Sequence, residues 1–242
     1  MANQNLHQRQ LSVLRHLTNP RIFDGEPADR GVEGLDLDRL RLLGTMSLGK
    51  RIEKIRSALP RSFEYLAHDP RISIGEFVNQ FPPNSATRAD NAVQFIDYLH
   101  GVWCEEPAEP EFLPDLVALE LAMAIANASE AEDPETGRSR FPGGCLRLVP
   151  GTQLLRCRFD IRALFDGSAE RTAPIERDVR LAVLMPADAE QPRVFEVKRD
   201  AFAMLKRIRL AEANNSTLKT VSGLSRRLLD DLVQRGILEV QI

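Results

Sequence analysis

The chain has 242 residues, 43% of them hydrophobic and 28% charged, with a net charge of −3. Those proportions suit one large or two small globular domains and exclude a disordered, collagen-like or disulfide-scaffold chain. No apolar run approaches the roughly 18 residues of a membrane span, and the polar stretch Met1–Gln10 lacks the apolar centre of a secretory signal, so a cytoplasmic protein with no membrane partner is expected.

The charge is unevenly shared. Residues 143–242 hold 17 Lys/Arg against 13 Asp/Glu, a net of +4, whereas residues 1–142 hold 15 against 22, a net of −7. A mildly basic second half suits an acidic peptide. It is weak support for DNA, where a strongly basic face is needed.

The first half reads as helical. Leu6–Leu17 has helical spacing, and residues 18–34, with Asn-Pro, Asp-Gly-Glu-Pro and Gly-Val-Glu-Gly, read as a long loop. Asp36–Met46 resumes the spacing through Leu37, Leu40, Leu42 and Leu43; Lys50–Leu59 and Ser62–His68 follow as helices separated by Pro60. Ser73 with Glu76 three residues on has capping-box spacing. Ala89–Trp103 sets Val93, Ile96, Leu99 and Val102 or Trp103 on one face. Leu113-Pro-Asp115 opens a nearly all-apolar helix over 115–127, expected to be the buried centre of the bundle. Glu120 interrupts it, which points to pairing with an arginine such as Arg61 or Arg88.

Residues 129–144 are polar and rich in turn formers, as linkers are. Beyond them Leu146–Val149 is a short extended run, turned by Pro150-Gly151. Three strands follow, at about 153–164, 179–185 and 193–198. In the first, Leu155, Cys157, Phe159 and Ile161 alternate with Arg156, Arg158, Asp160 and Arg162, giving an apolar inner face and a charged outer one. Lys198–Ile208 reads as a helix, Ser216–Val221 as a weak one and Ser225–Arg235 as a third; Gly236 stops it and Ile237–Val240 closes as a strand. The expected fold is therefore α+β: an N-terminal helical bundle (1–130), a linker (131–144), and a winged-helix-like domain (145–242) with a three-stranded antiparallel sheet and three helices.

No catalytic constellation stands out. His7, His16, His68 and His100 show no metal-pair spacing, and there is no GxSxG, Walker or GxGxxG motif. Cys104, Cys145 and Cys157 lie far apart with no CxxC, as in a reduced protein, with Cys157 a core residue. Glu105, Glu106, Glu109 and Glu111 form an acidic stretch broken by prolines, better suited to a solvated loop than a cation site. No catalytic residue, metal ligand or cofactor is assigned to this chain. A winged-helix layout usually grips DNA or a peptide. The third helix carries Arg226, Arg227, Asp230, Asp231, Gln234 and Arg235, and two mid-helix carboxylates would repel phosphates. Two cations at a helix start oppose the dipole, which favours a ligand role for them. A DNA-binding transcriptional regulator and a plain structural adaptor remain the alternatives to a peptide-binding subunit.

The strand and helix order over 153–240 is similar to that of the RiPP recognition element, a leader-binding module of enzymes that modify ribosomally made peptides. The helical half resembles the domain of the methanobactin partner-protein and HvfC-like group. The residues that carry this are Arg61-Ser-Phe-Glu-Tyr-Leu-Ala-His-Asp-Pro70, Ala92-Val-Gln-Phe-Ile-Asp-Tyr-Leu99 and Phe112-Leu-Pro-Asp-Leu-Val-Ala-Leu-Glu120. The resemblance implies a non-catalytic partner that forms a heterodimer with a TIM-barrel multinuclear iron enzyme. Iron is expected in that enzyme and no nucleic acid is implied. The shared substrate would be a precursor peptide that contains or ends in cysteine, modified with dioxygen in a reaction of the 3-thiaglutamate type. It also implies that the leader adds as a strand beside the third strand, in the groove facing the third helix. The residues then expected to bind peptide are Arg193, Val194, Phe195, Glu196 and Val197 on the strand, and Arg226, Arg227, Asp230 and Val233 on the helix. Phe195 and Val197 also fit simple core packing, and Arg226 and Arg227 a solvated helix start.

Overall fold

A computed structural model describes residues 2–18, 32–129, 145–165, 173–186, 189–213 and 226–241. Within them the chain mixes eight α-helices with a three-stranded antiparallel sheet and a two-stranded ribbon. It divides into two compact units, 1–107 and 108–242.

The first unit holds α1 (Ala2–Thr18), α2 (Leu37–Ala58), α3 (Pro60–Leu66), α4 (Ile74–Gln80) and α5 (Arg88–Glu105). α2 packs on α1, α3 and α5. It is one continuous helix where two were expected, over Asp36–Met46 and Lys50–Leu59, because Gly44 and Gly49 are absorbed into it; Gly44 is buried. Asp36 caps it, accepting from the Arg39 N–H at 3.1 Å. α3 starts on Pro60, whose missing N–H costs nothing in a first turn. At α4 the Ser73 hydroxyl accepts from the Glu76 N–H at 3.3 Å, but the return leg of the capping box is rerouted. The Ser73 N–H donates to the Tyr98 hydroxyl at 2.9 Å, and that hydroxyl reaches Glu76 at 3.4 Å. On α5 the buried face is Ala92, Phe95, Ile96, Tyr98 and Leu99, while Val93 is 38% exposed rather than part of the apolar stripe. Phe77, Phe95 and Tyr98 form an aromatic cluster with ring centres 5.1–6.1 Å apart.

The second unit begins with α6 (Leu113–Ser129), continues through β1 (Cys145–Leu148), β2 (Gln153–Asp160), a 3₁₀ turn (Ile161–Leu164), β3 (Ile175–Leu184), β4 (Arg193–Glu196), α7 (Arg199–Ala213) and α8 (Arg226–Gln234), and ends in β5 (Leu238–Gln241). The expected weak helix at 216–221 and the linker 131–144 lie outside the described residues. The boundary between units falls before α6 rather than at 131–144, because α6 packs on β2 and β3. Its buried residues include Leu113, Leu116, Val117 and Leu119, with Glu120 only 2% exposed.

The sheet order is β2-β3-β4, all antiparallel, and β1 pairs with β5 as a separate ribbon. Alternation gives the sheet two covered faces. Ala182, Leu184 and Val197 join α7, α8 and the ribbon in one core with Phe202, Leu205, Ile208, Leu232 and Ile237. Cys157, Val179, Leu181 and Val183 point to the opposite face, where α6 packs. β2 ends at Asp160, earlier than the 164 expected, as Ile161 turns inward in the 3₁₀ turn and a bulge shifts the register between Cys157 and Phe159. The turn before β2 needs Gly151: its φ is 76°, and a Cβ there would stand 2.5 Å from the Ser129 side chain.

Candidate functional site

The three-stranded sheet has two edges, and they differ. At the β2 edge, the Asp115 carboxylate in the first turn of α6 accepts the Phe159 N–H at 2.8 Å. Burial pushes the Asp115 carboxyl above its ordinary range, although that N–H and Arg158 pull it back. Phe112 meets the Phe159 ring with centres 6.4 Å apart, and Glu111 pairs with Arg158 at 2.9 Å.

At the other edge, no strand among the described residues pairs with the outer side of β4. Which groups β4 turns outward follows from its register. Leu181 pairs with Glu196, Ala182 with Phe195, Val183 with Val194 and Leu184 with Arg193. One step further along, the Val197 N–H donates to the Arg180 carbonyl at 2.8 Å. In an antiparallel ladder, bonded and non-bonded pairs alternate. Phe195 and Arg193 therefore spend their backbone groups on β3, while the N–H and C=O of Val194 and Glu196 face away from it.

The side chains alternate too. Val197 is 8% exposed and belongs to the core, and Phe195 is half-buried against it. Val194 is half-buried, while Arg193 and Glu196 are exposed. Beside Phe195 stands the end of α8: the Arg235 guanidinium lies 5.9 Å from the centre of the Phe195 ring and is held by Asp231 at 3.0 Å. α8 turns Leu228, Leu229 and Leu232 into the core. At about 100° per residue, Asp231 and Arg235 share the flank near Phe195, whereas Val233 and Asp230 lie roughly opposite to or far around from Arg235. Val233 is 39% exposed, Arg227 and Asp230 are exposed, and Arg226 opens the helix. The α8 side that meets Phe195 carries Arg235, which with Asp231 was not among the expected helix residues. Their four-residue spacing was the available signal.

A Schellman ending fixes that flank. Gly236 has φ 68°, its N–H donates to the Val233 carbonyl at 2.9 Å, and the Ile237 N–H reaches the Leu232 carbonyl at 2.9 Å. Leu232 and Ile237, the two residues that such an ending brings together, are both buried.

Glu196 is committed elsewhere. Its oxygens take Arg177 at 3.0 Å and Arg162 at 2.7 Å, and the same arginines take Asp160 at 2.5 and 2.7 Å. This ring of two cations and two anions ties the end of β4 to β3 and to the 3₁₀ turn. It holds both carboxyls below their ordinary range: Arg162 is the largest cause at Asp160, and Arg177 at Glu196. Arg162 and Arg177 were not singled out in the sequence, since only the strand register brings them to Glu196.

Nucleophilic chemistry finds no support at Cys157. Burial, with Asp115 and Asp160 nearby, pushes its thiol up to about 12. Among the described residues, no group of three or more His, Cys, Asp or Glu could hold a metal ion. The described helices include none long and apolar enough to cross a membrane. No protein-family model matches the chain, and no curated protein matches it.

Proposed function

We propose that this chain is a peptide-binding, non-catalytic partner subunit. It would capture the leader of a ribosomally made precursor peptide on β4 and present the cysteine of that peptide to a multinuclear non-haem iron oxidase, in a pathway of the 3-thiaglutamate type. The observation that carries the reading is the β4 edge, with outward N–H and C=O groups at Val194 and Glu196 beside the Phe195–Arg235 contact. An extended peptide satisfies such groups by adding a strand, and side chains on either face set specificity. Three antiparallel strands followed by α7 and α8 support a winged-helix-like arrangement of the recognition-element kind.

In this reading the leader orders as it pairs with β4, and its far end stays free to reach the enzyme. The helical unit docks on the enzyme, which raises the effective concentration of the cysteine there. Iron belongs to the enzyme, and this chain supplies binding and orientation.

The test is fluorescence-polarisation binding of the full chain to the leader of any cysteine-containing precursor peptide found encoded beside it, with duplex DNA as control. Saturable peptide binding that survives moderate salt is expected. Binding to DNA alone, with affinity falling steeply as salt rises, would replace this reading with that of a regulator.

A further inference from the structure

The helical unit contains a cavity of about 440 Å³ whose described lining includes Lys50, Arg51 and Lys54, with no Asp or Glu among the described residues that line it. That volume lies in the range of small-molecule sites, roughly 300–1,000 Å³. Residues 1–107 carry 13 Lys/Arg and 14 Asp/Glu, so the unit as a whole is not basic and the concentration of cations is local.

Arg51 is the unusual member. It is only 7% exposed, yet every acceptor it has among the described residues is neutral: Nε donates to Asn91 Oδ1 at 2.9 Å, Nη1 to the Phe81 carbonyl at 2.7 Å and Nη2 to Gln94 Oε1 at 3.0 Å. Its guanidinium also lies 4.4 Å from the centre of the Phe77 ring. A guanidinium carries five N–H donors, so part of its capacity has no acceptor among the described residues. Burial lowers its pKa, and no carboxylate among the described residues opposes that shift. Lys54 is half-buried and donates to the Ala86 carbonyl at 2.6 Å, and Lys50 is exposed at the rim. The acid beside the lining loop, Asp90, is taken up by its own helix start, where it accepts from the Ser85 hydroxyl at 2.5 Å and the Thr87 hydroxyl at 2.7 Å. A buried cation without a counter-charge is expensive. Three cations facing one cavity add mutual repulsion to that cost.

We propose that this cavity binds a small organic anion, a phosphate ester or a carboxylate. Its charged group would sit among Arg51, Lys54 and Lys50, and its apolar part against Leu14, Leu48 and Pro83. The site is separate from the β4 edge and does not depend on peptide capture. Charge-assisted bonds from a partly buried guanidinium and two ammonium groups provide the recognition.

Calorimetric titration of the full chain with inorganic phosphate and with citrate, at constant ionic strength, tests it. At least one probe is expected to saturate; phosphate alone would assign the phosphate class and citrate the carboxylate class. The variant Lys50→Gln/Lys54→Gln is expected to stay folded, since Lys50 is exposed and Gln at 54 keeps a side-chain donor for the Ala86 carbonyl, and to bind the probe about thirtyfold more weakly or less well still, each lost ammonium contributing roughly a factor of five to ten. No saturation by either probe up to tens of millimolar overturns the proposal, as does unchanged affinity in the double variant.

Discussion

Proline substitution at Val194 separates the proposed role of β4 from its place in the fold. Val194 sits in a non-bonded pair with Val183, so its N–H makes no ladder bond to β3. Edge strands tolerate proline where the N–H faces solvent, and Val194 is only half-buried. Val194→Pro is therefore expected to leave melting almost unchanged. An added strand could use the outward N–H and C=O of Val194 and Glu196, about four bonds at a net of roughly 0.5–1.5 kcal/mol each. Proline deletes one donor and leaves a peptide carbonyl facing its ring, a loss of about 1–3 kcal/mol, or roughly 5- to 150-fold in affinity. Phe195→Pro is the control: its N–H lies on the bonded side, paired with Ala182, so this variant should lower the melting temperature. The assays are fluorescence polarisation with the leader peptide and thermal melting by circular dichroism. A Val194→Pro chain that is folded and binds normally refutes leader addition at this edge. One that melts as low as Phe195→Pro refutes the register argument.

Three further outcomes follow from the second unit. Asp160 and Glu196 titrate below their unfolded values, so their contribution is present above about pH 4–4.5 and is lost as pH falls through the depressed folded values. Melting temperature should drop as pH goes from 5 to about 2, and Asp160→Asn should flatten that drop; an identical slope in the variant would show that the arginine ring contributes nothing. Asp115→Ala strips the Phe159 N–H of its acceptor beside α6 and should cost about 1–3 kcal/mol by denaturant unfolding, whereas Asp115→Asn keeps an acceptor and should retain most of the stability. Iodoacetamide followed by mass spectrometry should label exposed Cys104 well before buried Cys157, whose thiol is held near 12; early labelling of Cys157 in native protein would contradict its burial.

What could be read from the sequence was set by local periodicity. The alternation around Leu155, Cys157 and Phe159 located β2, and Ser73, Pro60, Pro114 and Gly236 marked helix ends that the structure keeps. Alternation could not show the bulge after Cys157, because a bulge is a property of two paired strands. Nor could composition place the unit boundary. The polar run at 129–144 looks like a linker, yet α6 before it packs on the sheet after it, a long-range contact with no local signature. The site shows the same division. A short strand between turn formers was visible at 193–198, but the outward side of Val194 depends on register. The enclosure of Glu196 by Arg162 and Arg177 depends on three segments meeting. The cations at the helix start drew attention because they oppose the dipole, while the contact of Arg235 with Phe195 depends on how the far end of α8 meets β4.

The contrast between the two sheet edges bears on how β4, under the proposed function, could receive a peptide without inviting self-association. An unpaired strand is a template for any other strand, and proteins guard such edges with charge, proline and brevity. β4 has all three: it is four residues long, follows Pro192, and carries exposed Arg193 and Glu196 with Lys198 just beyond. A second copy of β4 laid antiparallel would have to accommodate the arginine ring around Glu196 twice, and parallel pairing would stack like charges. A disordered segment with its own sequence meets no such conflict, and it gains the Phe195 ring and the Arg235–Asp231 pair on one face. The β2 edge offers no equivalent, because Asp115 already occupies its Phe159 N–H and α6 stands beside it. Guarded against its own kind and unpaired on its outer side by any described strand, β4 is the edge that the proposed strand-addition recognition would use.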